Sequence, residues 1–246
     1  MAIWAIADLH LSLGIVGKEM NVFGPEWNDH ANKIAQFWDA HVAQDDLVLI
    51  PGDISWAMRL DEAKADLDWI DKRPGTKLII RGNHDYWCHA PTKVRKALPP
   101  SIHLLWSDAF LWQNVAICGT RLWDSPEYNF GAFIEMKKPL KEETKAQQEH
   151  PEQVFEREVM RLGTALNALD KNAPLKIAMV HYPPIGADLA PSRVSEMLEK
   201  AGVSICVFGH LHSVRPESKM FGTKNGVTYH FVACDWLKFR LIKIVD

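Results

Sequence analysis

At 246 residues with a formal net charge of −3, the chain is long enough for one sizeable core and carries no overall positive field. That argues against nucleic acid or an acidic membrane as the main partner, and no apolar stretch approaches the roughly 20 residues that span a bilayer. Cys88, Cys118, Cys206 and Cys234 are far apart with no C-x-x-C pair, which predicts buried free thiols and a reducing compartment.

Residues 3–7 are a short apolar run bounded by polar residues, the pattern of a buried strand. Nothing before it resembles a signal peptide, so a cytosolic protein is expected. Asp8 and His10 follow at i, i+2, which in extended chain puts both side chains on one face. A helix is predicted over 27–42, with Ile34, Phe37, Trp38 and His41 at helical spacing, then a strand over 46–50 that Pro51-Gly52 stops before Asp53. A second helix is expected over 60–72, and a strand over 77–80 delivers Arg81-Gly82-Asn83-His84-Asp85. Strand, helix, strand, helix, strand signals βαβ units, whose right-handed crossovers make the three strands parallel neighbours.

Residues 102–106 and 110–119 read as two strands of a meander with no helix between them. Residues 120–151 are read as a partly helical excursion over the rim, aromatic at first and strongly charged over 137–150. A helix over 152–169 buries Phe155, Val159, Leu162, Leu166 and Leu169, and a strand over 175–180 delivers His181 to Pro183-Pro184. Ser192 is an N-cap for a helix through Lys200, and a strand over 203–208 delivers Gly209-His210-Leu211-His212. Two final antiparallel strands are predicted over 227–233 and 239–245, and one domain over 1–246 is the economical organisation.

Each polar cluster directly follows an apolar strand, and in open α/β sheets ligands bind outside the carboxyl ends of strands. The clustered side chains are Asp, His and Asn, with O and N donors that suit transition metals of intermediate hardness; no cysteine takes part. A carboxylate such as Asp53, isolated at a strand end, can bridge two cations. Two ions about 3.5–4 Å apart can clamp the oxygens of an in-line displacement at phosphorus. Taken singly these residues have plainer readings: surface polar residues for Asp8-x-His10, a turn for Gly52-Asp53, a core histidine for His181. Their order, each time after a strand, is what points to a metal site.

In these blocks the sequence resembles the calcineurin-like metallophosphoesterase superfamily, whose pattern runs D-x-H, G-D, G-N-H-[DE], H and G-H-x-H. The resemblance implies a four-layer α/β/β/α sandwich with two mixed β-sheets and a dinuclear centre of manganese, iron or zinc at the strand ends. It implies that Asp8, His10, Asp53 and His212 hold one metal, and that Asp53, Asn83, His181 and His210 hold the other. It implies that a metal-bridging hydroxide attacks phosphorus, and that His84, outside the metal shell, donates a proton to the leaving oxygen. The protein Ser/Thr phosphatase branch carries G-D-x-x-D-R-G at the second block. Here Gly52-Asp53-Ile54-Ser55-Trp56-Ala57-Met58 lacks both the acid and the arginine, which argues against that branch.

The expected activity is hydrolysis of a small phosphorylated substrate, with phosphodiesters preferred over monoesters. A phosphomonoesterase, a nuclease and a non-catalytic metal-binding interaction scaffold are the alternatives; the basic groove of a nuclease is not evident at net charge −3. Arg81 and Arg121 are either phosphate contacts or structural residues. Among ten tryptophans, Trp56 and Trp87 follow metal blocks and Trp123 lies in the rim excursion. They either form an aromatic wall for a base or apolar leaving group, or pack in the core. The 137–145 charges are either a solvated face or a lid or partner surface.

Overall fold

The computed structural model describes residues 1–135 and 150–246. Two mixed sheets lie face to face. The first has the order β11-β1-β2-β3-β4, from β1 (Ile3–Ala5), β2 (Leu47–Ile50), β3 (Thr76–Ile79), β4 (Ile102–Leu104) and β11 (Ile242–Val245). The second has the order β5-β6-β7-β8-β10-β9, from β5 (Asp108–Trp112), β6 (Val115–Thr120), β7 (Leu175–Val180), β8 (Ile205–Phe208), β9 (Gly222–Lys224) and β10 (Val227–Phe231). β1 to β4 are parallel neighbours, as are β6, β7 and β8, so the βαβ reading of the first three strands holds.

Side-chain alternation builds the layers. Ile3, Ala5, Leu47, Leu49 and Leu78 point between the sheets, where they meet Ile117, Ile177, Met179 and Val207. Their neighbours Trp4, Val48, Ile50 and Ile79 point outward against Ile34 and Trp38 of α1 (His30–His41), Leu67 and Ile70 of α2 (Lys64–Asp71), and Val94 of α3 (Pro91–Ala97). On the far side Cys118, Ala178, Val180 and Phe208 pack on Phe155 and Leu162 of α4 (Pro151–Asn167), and on Val194 and Leu198 of α5 (Arg193–Lys200). Strands covered on both faces need apolar residues at every position, so their runs are continuous rather than alternating. All four cysteines are free and buried.

Several sequence expectations change. Residues 110–119 are not one strand: Gln113, at φ 53°, turns the chain between β5 and β6. The expected meander fails too, because β4 ends the first sheet and β5 begins the second. The final strands do not pair with each other; β10 runs parallel to β8 and antiparallel to β9, while β11 closes the first sheet against β1. α1 begins at His30 after a 3-10 turn over Pro25–Trp27, and α2 begins at Lys64 rather than at residue 60. His41 is exposed at the end of α1 and stacks on Phe37. Ser192 does cap α5, with Ser195 completing a reciprocal box. Most of the charged 137–150 stretch lies outside the described residues.

Candidate metal centre

The two sheets are stitched together at one rim. Ala7, just past β1, donates to Val232 O (2.7 Å) and accepts from Cys234 N (3.0 Å), which docks the first sheet against the end of β10. Beyond β1 and β2 the chains stay paired, through Asp8 N to Gly52 O (3.0 Å) and His10 N to Asp53 O (2.9 Å). Asp8, His10, Asp53 and His210 all adopt positive φ, at 59°, 44°, 51° and 75°. Each such conformation is strained for a residue with a side chain, and strain of this kind collects at functional sites. It ends the strands abruptly and swings these side chains over the rim.

The glycines of the motifs make the room. A Cβ on Gly82 would collide with the Asp53 carboxylate and backbone nitrogen, and one on Gly209 with the Asp8 carboxylate and Ala7. A bare backbone is therefore required at both points: at Gly82 between the neighbouring strand ends of β2 and β3 in the first sheet, and at Gly209 where the end of β8 in the second sheet meets the end of β1 in the first.

Asp8, His10, Asp53 and His212 present one donor atom each within 4.8 Å of one another, and the first three are buried. His10 Nε2 faces His212 Nε2 at 3.1 Å and Asp53 Oδ2 at 3.6 Å. Beside this group, Asn83 Oδ1 lies 2.7 Å from His181 Nε2 and 3.0 Å from His210 Nδ1. Asp53 Oδ2 touches both groups, since it is also 3.5 Å from His181 Nε2. The seven expected ligands are thus brought to one place.

The hydrogen bonds behind these rings decide which nitrogen faces inward. His181 Nδ1 lies 3.0 Å from the Pro51 carbonyl, which can only accept, so Nδ1 carries the hydrogen. The Nε2 lone pair of the neutral ring then points at the oxygens of Asn83 and Asp53. His212 Nδ1 likewise donates to Asp235 Oδ1 (3.1 Å), leaving its Nε2 lone pair to face His10. Lone pairs aimed at lone pairs in a buried space need a cation or protons between them. The cluster therefore fits a divalent metal ion.

Without a metal, protons fill that role. Burial raises the Asp8 carboxyl to about 7 against the pull of His212 and His181. Burial also opposes charge on Asp53, but His181 and His10 override it and hold that carboxyl well below its usual range. Burial is likewise overridden at His181 by Asp53 and at His212 by Asp235, so both imidazoles are pushed up to about 9. His10 and His210 are driven well below the ordinary imidazole value, chiefly by burial.

Asp235 was missed by sequence reasoning, although it follows β10 just as the other polar residues follow their strands. It accepts from His212 and from Ser213 N (3.2 Å). A carboxylate behind a histidine fixes tautomer and orientation. Asp85 braces the turn: its oxygens accept from the backbone of Gly82, Ile54 and Ser55 and from the Trp87 indole. That fills the carboxylate and ties the second and third blocks together.

His84 N donates to Asp53 Oδ1 (2.8 Å), and its ring lies 4.4 Å from that of Trp56 and 5.6 Å from that of His10. Trp56 also stacks on His10 at 5.0 Å and is partly exposed, so it stands at the rim. Trp87 does not. It is 1% exposed and packs in the outer core, which removes it from any aromatic wall. Trp123 lies 5.2 Å from Tyr182, with the Arg121 guanidinium over it. Arg81 and Arg121 line a separate small cavity on the His181 side of the site.

The chain resembles the Gene 66 proteins of two mycobacteriophages. Identity is 34% over 105 residues to that of phage D29, covering 43% of this chain and 49% of the phage protein. Identity is 38% over 82 residues to that of phage L5, covering 33% of this chain and 39% of the phage protein. The matches therefore span half or less of these relatives. Among solved structures, a phosphopantetheinyl hydrolase from Mycobacterium tuberculosis shares the fold with a TM-score of 0.58 at 16% identity, over 99% of this chain and 95% of that one. A protein of unknown function from Aquifex aeolicus does so with a TM-score of 0.51 at 14% identity, over 98% and 95%. The family model for calcineurin-like phosphoesterases matches residues 1–214, and the chain belongs to that family.

Proposed function

We propose that this protein is a two-metal phosphohydrolase acting on small phosphodiesters. The observation that carries the reading is the position of Asp53 Oδ2, 3.6 Å from His10 Nε2 and 3.5 Å from His181 Nε2, between two sets of donors. In this reading Asp8, His10, Asp53 and His212 hold one ion, Asp53, Asn83, His181 and His210 hold the second, and Asp53 bridges them. Bound cations supply Lewis acidity toward phosphoryl oxygens and lower the pKa of water toward neutrality. His84, held by its backbone on Asp53 and by its ring against Trp56, gives a proton to the leaving oxygen. Trp56 offers an apolar face to the leaving group beside it.

Two features support diesters over phosphoproteins: the second block lacks the acid and arginine of the protein phosphatases, and Trp56 occupies that part of the rim. The fold shared with a phosphopantetheinyl hydrolase is in keeping with phosphoester hydrolysis. Manganese is the first metal to supply, and iron and zinc follow, because the N and O donors suit all three. Four free, buried thiols support a cytosolic setting, and no helix among the described residues is long and apolar enough to cross a membrane. The deciding assay compares bis(p-nitrophenyl) phosphate with p-nitrophenyl phosphate, using metal-stripped protein given back manganese. Manganese-dependent turnover favouring the diester is expected. Metal binding with neither ester cleaved would overturn the reading for simple esters.

Two further results are expected of the same site. Metal ligation needs neutral imidazoles, and His181 and His212 keep their protons up to about 9 in the metal-free protein. Protons therefore compete with the metal below that pH, and apparent manganese affinity rises as pH increases from 7 to 9. Calorimetry in buffers of different ionisation enthalpy counts the protons released. Asp235→Asn leaves an acceptor for His212 Nδ1 but removes the charge behind it, and metal affinity falls about 10–100-fold with the circular dichroism spectrum unchanged. Unaltered affinity would mean that Asp235 only secures the loop at Ser213.

A further inference from the structure

Next to the metal centre, three arginines surround one small cavity. Arg81 lies two residues before Asn83 on the continuation of β3, and Arg121 follows β6. The Arg121 carbonyl accepts from the backbone nitrogens of His181 (3.1 Å) and Tyr182 (3.2 Å), so the cavity occupies the adjoining position on the same rim. Arg161 enters from α4, and the cavity of about 20 Å³ holds a water-sized group.

The charges do not balance. Glu158, 1% exposed, takes Arg121 Nη2 at 3.1 Å and Arg161 Nη1 at 2.6 Å, which leaves, among the described residues lining the cavity, three guanidinium groups to one carboxylate. Arg81 makes no ion pair among the described residues; its Nε is buried without a hydrogen-bond partner, and its guanidinium rests 5.9 Å from the Trp106 ring centroid. Buried donors without acceptors are costly, and like charges around one cavity repel. An oxyanion corrects both faults, because planar guanidinium groups match its geometry.

We infer that Arg81, Arg121 and Arg161 form an oxyanion seat for a second, non-reacting phosphate or carboxylate of the substrate cleaved at the metal centre. This deepens the phosphohydrolase reading and rests on it. One oxygen of that group enters the cavity while the scissile phosphate lies toward Asn83 and His181. The preferred substrates then carry two anionic groups, and the arginines select for the spacing between them.

The test uses the full, manganese-loaded chain and three diesters: thymidine 5′-p-nitrophenyl phosphate, its 3′-phosphate, and its 3′-succinyl ester. The expected result is a KM about tenfold lower for the 3′-phosphate than for the parent, an advantage that shrinks to about twofold or less in Arg81→Gln and Arg161→Gln. Arg161→Lys keeps a charge for Glu158 and guards against misfolding; it retains only part of the advantage. An equal gain for the succinyl ester supports the seat and identifies charge, rather than phosphate, as what it reads. An advantage untouched by these substitutions, or no advantage at all, overturns the proposal. A second arm reads binding without turnover: calorimetric titration of Asp53→Asn with inorganic phosphate. Binding that survives in Asp53→Asn and is lost with Arg161→Gln added supports the seat even if no ester is hydrolysed, whereas binding indifferent to Arg161 counts against it.

Discussion

Asp53→Asn is expected to reduce manganese-dependent phosphodiester turnover at least about a thousandfold, or roughly 4 kcal/mol of transition-state stabilisation. The substitution changes one atom, and the surroundings dictate which. Asp53 Oδ1 accepts from His84 N at 2.8 Å, so an amide nitrogen placed there would set donor against donor. The amide must turn the other way, which puts its NH₂ where Oδ2 stood between His10 and His181. That removes the one oxygen common to both donor groups and the negative charge that would hold two cations together. Metal analysis of the purified variant should then find less metal bound, while circular dichroism and the melting profile keep the shape of the native protein. Full turnover with full metal content would show that Asp53 bridges nothing.

How far the site could be read from the sequence follows from where its residues sit. Asp8, Asp53, Asn83, His181 and His210 each end a continuous apolar run, and such runs are unmistakable because both faces of each sheet are covered. Pairing between sheets leaves no such local mark. The split between β4 and β5 arises at Ser107, whose N donates to Gly119 O (3.0 Å) and whose φ is 58°; nothing in its immediate neighbours announces a change of sheet. β9 was legible and went unread: Asn225 and Gly226, at φ 48° and 85°, form the Asn-Gly turn that marks a two-residue hairpin. α3 announced itself more faintly, with Pro91 at its first position and Arg95 and Lys96 in its last turn. Asp235 could be found only by asking what stands behind His212, a question of space rather than of spacing. Trp87 went the other way. Its place after a metal block suggested the rim, but the indole is drawn inward to donate to Asp85.

His84→Ala is expected to lower kcat by about 10²–10⁴-fold while leaving metal content intact, because none of the seven candidate ligands is touched. The size of the loss should depend on the leaving group, and this dependence separates two roles that an imidazole beside cations can fill. If His84 protonates the leaving oxygen, the deficit is small for p-nitrophenolate, which departs well without a proton, and large for an alkoxide, which does not. If the ring serves only to hold a phosphoryl oxygen, the deficit is the same for both and falls partly on KM. The structure shows what holds the side chain in place for either role. Its backbone N–H is fixed on Asp53 Oδ1, and its ring lies 4.4 Å from that of Trp56 and 5.6 Å from that of His10. Asp85 is next in the chain, but its oxygens already serve Gly82, Ile54, Ser55 and Trp87, so packing does more than that carboxylate to position the ring. Comparing p-nitrophenyl and alkyl esters of one phosphate, in wild type and His84→Ala, decides the matter: parallel losses would remove His84 as the proton donor and leave it a binding residue.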